Sequence, residues 1–144
     1  MKKALVISGG CSKGAFAGGV AEHLMKDKLK KYDLFLGSST GSLMVSHLAL
    51  GKIEELKKLY TNVNQKTIFS NNPFLIKKVH GEKVISIIHL NTLWNFINGR
   101  KTFGESKNLL KLIKNNVSEK MYDKIKEDQK EVVVAVSNIT TTSF

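Results

Sequence analysis

Apolar and polar residues in the first part of the chain alternate between short apolar runs and amphipathic stretches. Apolar runs at Ala4–Ile7 and Tyr32–Leu36 are each followed by a turn rich in glycine, which predicts two buried strands. Apolar residues at helical spacing predict helices in three further stretches: Gly14–Met25, Ser42–Leu50 and Ile53–Tyr60. The order of strand, turn and helix therefore occurs twice in succession, which predicts an α/β fold with a mainly parallel sheet.

The remainder of the chain has a less regular pattern. The pattern predicts a polar loop at Asn62–Asn72 and either a helix or a strand at Val84–Ile97. It predicts a helix or a helix pair at Phe103–Gln129 and another buried strand at Glu131–Val136. Pro73 is typical of a helix start or a turn. There is no internal repeat or low-complexity tract, and no second domain is indicated. We therefore expect a single domain over residues 1–144.

The segment Gly37-Ser38-Ser39-Thr40-Gly41 matches the pattern G-x-S-x-G. In this motif a serine sits at a sharp strand-to-helix turn, where small neighbours allow strained backbone geometry and the hydroxyl stands clear of the sheet. The motif here follows one predicted strand and precedes a predicted helix, which is the context that a nucleophilic serine of this kind requires. Taken alone, it is equally compatible with a glycine- and serine-rich turn that caps a helix.

A second glycine-rich turn, Gly9-Gly10-Cys11-Ser12-Lys13-Gly14, follows the first predicted strand and opens the first predicted helix. Glycines let backbone N–H groups point at an anion, and the helix N-terminus favours negative charge. The turn is not a Walker A loop, because no Lys-Ser/Thr pair follows Gly14, and Cys11 replaces the middle glycine of a dinucleotide fingerprint. Consecutive strand–turn–helix units bring both turns to the carboxyl end of the sheet. Together they offer a serine nucleophile and oxyanion donors, the requirements of acyl transfer.

Charge and cysteine content narrow the class of protein. The formal net charge is +11, and Arg100 is the only arginine. Lysine is less suited than arginine to phosphate and base recognition, so we expect no nucleic-acid partner. A solvated lysine-rich surface is the ordinary interpretation, and peripheral contact with an anionic membrane stays open. Cys11 is the only cysteine, and the N-terminal apolar run is shorter than a secretion signal, so we expect a cytoplasmic location.

The two glycine turns and the helix between them resemble the patatin-like phospholipase family. The resemblance rests on Ser8–Phe16 and Gly37–Leu43, and more loosely on the segment Asn138–Thr141. It implies a three-layer α/β/α fold, lipid acyl hydrolysis by a serine–aspartate dyad, and no cofactor or metal. It assigns Ser39 as the nucleophile, Gly9, Gly10 and Cys11 as the oxyanion hole, and Lys13, Gly14, Gly37 and Gly41 as supporting turn residues. Cys11 departs from the third glycine of the family's loop.

The family's aspartate lies in an Asp-Gly or Asp-Ala pair well after the nucleophile. The aspartates of this chain are Asp27, Asp33, Asp123 and Asp128, and none is followed by glycine or alanine. We therefore expect the chain to be the N-terminal part of the domain, truncated before the catalytic aspartate, with little activity and a tendency to self-associate.

Other residues of the chain could serve as the base or the nucleophile, and a second function is open. His80 and His89 could supply the base only in an order different from that of α/β-hydrolases, and Cys11 could act as a nucleophile at a helix N-terminus but has no indicated histidine partner. The alternative function is a non-catalytic module whose glycine turns hold a phosphate or lipid headgroup. A nucleotide-binding domain is disfavoured, because a P-loop lysine and a ribose-binding acid are missing.

Overall fold

The two N-terminal apolar runs form neighbouring strands, as their apolar residues and the glycines that follow them predict. In the computed structural model, residues 2–26, 31–99 and 105–138 are described. The described strands are β1 (Ala4–Ile7), β2 (Leu34–Ser38), β3 (Phe74–Val79), β4 (Glu82–Ile87) and β5 (Glu131–Ala135). The described helices are α1 (Gly14–Lys26), α2 (Val45–Ala49), α3 (Ile53–Asn62), α4 (Gln65–Ile68), α5 (His89–Ile97), α6 (Lys107–Asn116) and α7 (Glu119–Glu127), with 3₁₀ turns at Cys11–Lys13 and Ser39–Leu43.

The chain divides into two compact units. The first unit consists of residues 1–62 and 117–144, and the second unit consists of residues 63–116. The sequence pattern did not distinguish the second unit from the first.

The sheet of the first unit has three parallel strands in the order β1-β2-β5. Successive connections therefore cross the sheet in one direction, and right-handed crossovers then place their helices on the same face. The core agrees with this rule, since buried residues of α1, α2, α3 and α7 form one cluster with Leu5 and Phe35 of the sheet. The predicted α/β class with a parallel sheet is confirmed.

The opposite face of this sheet is apolar but open. Val6, Leu36 and Val133 are neighbours in the register of the three strands. Val6 is 63% exposed and Val133 is 44% exposed. The prediction of a buried strand at Glu131–Val136 is therefore wrong in its burial, although the strand is present. In the described sheet β5 pairs on one side only, and its apolar run lacks a covering layer on this face.

The helices of the first unit follow the predicted segments with shifted boundaries. The helix predicted from Ser42 begins as a 3₁₀ turn at Ser39 and becomes α-helical only at Val45. The strand predicted at Tyr32 begins at Leu34 instead. In α1, Ala17 and Ala21 face the core, whereas Phe16 remains 78% exposed.

The second unit contains the antiparallel hairpin β3–β4 together with α4, α5 and α6. The hairpin turn places His80 and Gly81 at φ +51° and +85°, the positive angles of the tight turns that suit a hairpin twist. The loop predicted at Asn62–Asn72 is wrong in part, because it contains α4. Asn64 caps this helix by accepting hydrogen bonds from the N–H groups of Lys66 and Thr67, and the Thr67 hydroxyl accepts from the Asn64 N–H.

The remaining ambiguous segments are also resolved. Val84–Ile97 is divided between β4 and α5, and the stretch after residue 103 forms the helix pair α6 and α7. Pro73 precedes the first hairpin strand rather than a helix. None of the described helices combines the length and the apolar character that crossing a bilayer would require.

Candidate active site

Ser39 lies directly after β2, at the first residue of the 3₁₀ turn that leads into α2. Its φ angle is +51°, in the left-handed region that residues other than glycine seldom adopt. Such a conformation costs about 1–3 kcal/mol and persists only where the surrounding structure enforces it. The side chain is exposed, so the hydroxyl stands at the surface at the carboxyl end of the strand. This is the tight strand-to-helix turn that the sequence predicted.

The glycines on either side of Ser39 are required by close backbone contacts. A Cβ atom on Gly37 would lie 2.6 Å from the carbonyl of Gly41, and a Cβ atom on Gly41 would lie 2.2 Å from the carbonyl oxygen of Ile7. Both distances are far inside van der Waals contact. The Ser42 hydroxyl also donates to the Gly37 carbonyl at 3.1 Å, which closes the turn around the serine. Gly37 and Gly41 are thus both required for steric reasons, as the motif predicts.

The first glycine turn packs against this serine. A Cβ atom on Gly9 would lie 2.5 Å from Ser39 Cβ and 3.2 Å from Ser39 Oγ. Gly9 therefore has to be glycine for the two turns to meet. The structure brings both turns to the same end of the sheet, as expected for consecutive parallel strands.

Thr40 ties the two turns together, with support from Tyr60 on α3. The Thr40 hydroxyl donates to the carbonyl of Cys11 at 3.2 Å, and the Tyr60 hydroxyl donates to the carbonyl of Thr40 at 3.2 Å. Burial raises the pKa of Tyr60 to about 12, so the phenol keeps its proton and remains a donor. Gly14 completes this contact, because a Cβ atom there would lie 2.3 Å from Thr40 Cγ2. Sequence reasoning missed Thr40 and Tyr60.

The carbonyl groups of Gly10 and Cys11 both accept hydrogen bonds. The Gly10 carbonyl accepts from the N–H of Lys13 at 2.9 Å, and the Cys11 carbonyl accepts from Gly14 and from Thr40. The N–H groups of Gly10 and Cys11 precede the first helical hydrogen bond and have no acceptor inside the turn. Cys11 adopts a left-handed φ of +48° and its side chain is exposed. Backbone N–H donors at the start of a helix can bind an oxyanion that lies in front of them.

Lys13 contributes to this turn through its backbone, and its side chain is exposed. Gly9 lies against Ser39, and Cys11 and Gly14 lie against Thr40, so the first glycine turn contacts the nucleophile turn. The oxyanion role of Gly9, Gly10 and Cys11 stays a prediction.

The described acids and histidines of the first unit lie elsewhere. Asp33 is at the opposite end of β2, where it accepts from the Lys3 N–H at 2.9 Å. The five residues of β2 separate it from Ser39, and the six residue steps correspond to a length of about 20 Å. His47 is buried on α2, about 15 Å along the chain from Ser39 by the rise of a 3₁₀ turn and a helix. Burial lowers the pKa of His47; the Glu55 carboxylate raises it to a smaller extent, and the Lys52 ammonium lowers it further.

The other candidate bases lie on other elements of the chain. Asp123 and Asp128 lie on or just after α7, where Asp128 pairs with Lys124 at 3.3 Å. His80 lies at the hairpin turn and His89 begins α5, both in the second unit. Asp27 lies outside the described residues, as do Thr140 and Thr141 at the end of the segment that loosely resembles the family.

No metal-binding cluster of three or more histidine, cysteine, aspartate or glutamate residues occurs within the described ranges. A cavity of about 360 Å³ lies between α2, α7 and β5, and its lining residues do not include those of the glycine turns. The chemistry available at the glycine turns is therefore that of a serine hydroxyl, backbone donors and a helix N-terminus.

Comparison with known proteins connects this geometry to a family. Neither the comparison with curated proteins nor that with solved structures gives a match. The family model described as patatin-like phospholipase matches residues 5–143, a range that includes both glycine turns and all three strands of the parallel sheet. Because this match spans nearly the whole chain, the protein belongs to the patatin-like phospholipase family.

Proposed function

We propose that this chain carries the nucleophile and the oxyanion hole of a lipid acyl hydrolase, with Ser39 forming an acyl-enzyme intermediate. Family membership implies hydrolysis of lipid esters. The observation that carries the serine-dependent mechanism is the left-handed, exposed Ser39 held against Gly9 at the end of β2. The substrate class is a carboxylic ester of a lipid, as in a phospholipase A or an esterase.

The reaction follows from these groups. Ser39 Oγ attacks the ester carbonyl carbon, a base takes the serine proton, and the carbonyl oxygen becomes an oxyanion that accepts from the N–H groups of Gly10 and Cys11. Collapse of this intermediate breaks the C–O bond of the ester, and the leaving alkoxide takes up the proton. Water then attacks the acyl-serine ester and gives one proton to the base. The bond from the acyl carbon to Ser39 Oγ breaks, the base returns that proton to Oγ, and a carboxylic acid and the free serine are released. Atoms and charge balance without a cofactor or a metal.

This mechanism also needs a general base. None of the described aspartates or histidines of the first unit lies beside Ser39. We propose that the base is an aspartate of the full-length protein beyond residue 144, as the family's serine–aspartate dyad implies. General-base assistance is worth about 10²–10⁴ in rate, so we expect the 144-residue chain to have little activity.

A non-catalytic module is the second candidate, and the lack of a nearby base in the described first unit favours it for these 144 residues. In this alternative the same N–H donors hold a phosphate or a lipid headgroup at the helix N-terminus. The two candidates differ in whether the Ser39 hydroxyl forms a covalent bond.

The test is an acyl-ester assay on three proteins: the 144-residue chain, the longer protein that includes the aspartate, and the Ser39→Ala variant of the longer protein. We expect activity in the longer protein alone. Ser46→Ala, a substitution on α2 outside both glycine turns, is the matched control and should retain activity. Undiminished turnover in Ser39→Ala would remove Ser39 from the mechanism, and full activity in the short chain would place the base within it.

Self-association, peripheral membrane contact and a cytoplasmic location are further parts of the proposal. Self-association is supported by the open apolar face around Val6 and Val133 and by the free edge of β5, since exposed edges and patches favour pairing between chains. The net charge supports contact with an anionic membrane, and the single cysteine supports a reducing compartment.

A further inference from the structure

The positive charge of the protein is concentrated in the second unit. Residues 63–116 contain nine lysine and arginine residues against two acidic ones, a net charge of +7. The first unit has 14 basic and 10 acidic residues, a net charge of +4 over a longer stretch of chain. A basic surface of this density attracts anionic partners within a Debye length, about 10 Å at moderate salt.

Helix α5 of this unit is amphipathic with its apolar side turned outward. Leu90, Leu93, Trp94 and Ile97 have the i, i+3, i+4, i+7 spacing that defines one helix face. They are 80%, 58%, 67% and 68% exposed, respectively. Among the residues of this helix whose burial is described, Asn95 is the buried one, and its side-chain oxygen accepts from the Asn71 amide at 2.9 Å. The helix is thus anchored by an amide and presents leucine, isoleucine and tryptophan to solvent.

The hairpin carries a second apolar surface with a cationic end. Ile76 and Ile85 are paired across the strands on one face, and Lys78 and Lys83 form the next pair on that face. Ile85 is 65% exposed, and both lysines are exposed. Like charges directly opposite each other destabilise a strand pair. A bound anion would remove that repulsion.

We propose that the second unit is a docking surface for an anionic lipid bilayer, with the outward face of α5 inserted at the level of the headgroups and upper acyl chains. The proposal deepens the lipid-hydrolase function but concerns a surface in the other unit. An interfacial surface combines aliphatic and aromatic residues, which partition into the interface, with lysines that pair with lipid phosphates. In the second unit α5 supplies the apolar residues and the hairpin supplies Lys78 and Lys83. Tryptophan in particular favours the boundary between hydrocarbon and headgroups.

Charge distinguishes a lipid from other occupants of this surface. A second copy of the chain would bring another unit of net charge +7 against the first, and like charges oppose such docking. An anionic bilayer is complementary to the charge and offers apolar depth for the exposed leucine and isoleucine side chains. Vesicles of phosphatidylserine mixed with phosphatidylcholine are therefore the appropriate probe.

Trp94 allows a direct experiment, because it is the only tryptophan in the chain and lies on the proposed surface. The 144-residue chain is titrated with vesicles of equal parts phosphatidylserine and phosphatidylcholine, and with vesicles of phosphatidylcholine alone. We expect the Trp94 emission to shift to shorter wavelength with the anionic vesicles, to shift much less with the neutral ones, and to return as salt is added.

Variants locate the surface. Leu90→Ser should weaken partitioning about tenfold, because a leucine side chain no longer enters the apolar layer. Phe16→Ser is the matched control: Phe16 lies on helix α1 of the first unit and is 78% exposed, and its replacement should leave partitioning unchanged. Lys78→Gln and Lys83→Gln should each weaken binding to anionic vesicles about fivefold.

Several results would overturn the proposal. Equal binding to neutral and anionic vesicles would remove the electrostatic basis, and equal losses in Leu90→Ser and Phe16→Ser would remove α5 as the surface. If Leu90→Ser instead converts a dimer to a monomer in solution while vesicles leave the Trp94 emission unchanged, the face joins two copies of the chain. Ser39→Ala should bind vesicles as the unsubstituted chain does, so failure of the surface and failure of the serine mechanism are separate outcomes.

Discussion

The two units of this protein are stabilised in different ways. The first unit has an apolar core in which Phe35, Met44 and Leu48 are almost fully buried. Among the residues of the second unit whose burial is described, only Pro73 and Asn95 are buried. Its segments are joined largely by polar contacts: the Asn108 amide donates to the carbonyls of Lys66 and Phe69, and Ser70 donates through its N–H to the Glu105 carbonyl.

This difference suggests a division of roles. A strained nucleophile such as Ser39 needs a rigid support, since only a packed surrounding structure maintains a left-handed serine. A surface that enters a membrane instead needs apolar side chains that are not consumed by its own core. The first unit satisfies the former requirement and the second unit satisfies the latter.

The largest expected effect is on the core of the first unit. Phe35→Ala should lower the free energy of unfolding by about 3–5 kcal/mol, because it removes a fully buried aromatic side chain and leaves a cavity. Ile85→Ala on the hairpin is the counterpart in the second unit. It should change the free energy of unfolding by less than about 0.5 kcal/mol, since the Ile85 side chain is largely exposed. Urea denaturation of both variants measures the two values, and similar losses would contradict the contrast between the units.

The next effect concerns the glycines of the nucleophile turn. Gly41→Ala should cost about 3 kcal/mol, because its Cβ would lie 2.2 Å from the Ile7 carbonyl oxygen and the turn would have to move. Gly19→Ala, on α1 with open space at the Cβ position, should instead stabilise the protein by about 1 kcal/mol. Thermal unfolding of the two alanine variants should therefore show melting temperatures shifted in opposite directions. A tolerated Gly41→Ala would mean that the close approach of the turns is not required.

A smaller effect is expected where the second unit relies on amides. Asn108→Ala removes two hydrogen bonds to backbone carbonyls, at 2.9 and 3.1 Å, and should destabilise that unit by about 1–2 kcal/mol. Hydrogen exchange should become faster for amides of α4 and α6 but stay unchanged for the strands of the first unit. Faster exchange throughout the chain would show that the two units unfold together.

The pH dependence of stability tests the burial of His47. Desolvation lowers its pKa in the folded state below the ordinary 6.5, so the unfolded chain binds more protons in the window between the two values. Stability should therefore be fully present above pH 6.5 and should fall as the pH decreases toward the folded-state pKa. His47→Gln should flatten this slope, as measured by urea denaturation at several pH values. A slope unchanged by the substitution would assign the acid sensitivity to other groups.

Sequence reasoning succeeded where the structure depends on neighbouring residues. β1, β2 and both glycine turns could be predicted, because short apolar runs and glycine positions act within a few residues. A local signal for α4 was present in Asn64 and Thr67 and was missed, since the polar composition of Asn62–Asn72 suggested a loop. The hairpin was missed because the lysines of β3 and β4 interrupt the apolar pattern, although His80-Gly81 supplies a suitable turn.

Other features had no local signal. Tyr60 reaches the Thr40 carbonyl from 20 residues away, and nothing in its neighbourhood indicates that contact. The exposure of Val133 and Leu90 depends on which segments pack against them, so apolar patterns that normally indicate burial gave the wrong expectation for β5 and no prediction for α5.

The most direct test of the proposed nucleophile is covalent labelling by an activated alkyl phosphonate ester, whose phosphorus is attacked by a serine hydroxyl and whose oxygen occupies the oxyanion position. Digestion with trypsin releases residues 32–52, which contain Ser38, Ser39, Ser42 and Ser46, and fragmentation of this peptide locates the adduct. We predict a single adduct, on Ser39. An adduct on another of these serines, or equal labelling of the Ser39→Ala variant, would contradict the assignment of Ser39 as the nucleophile.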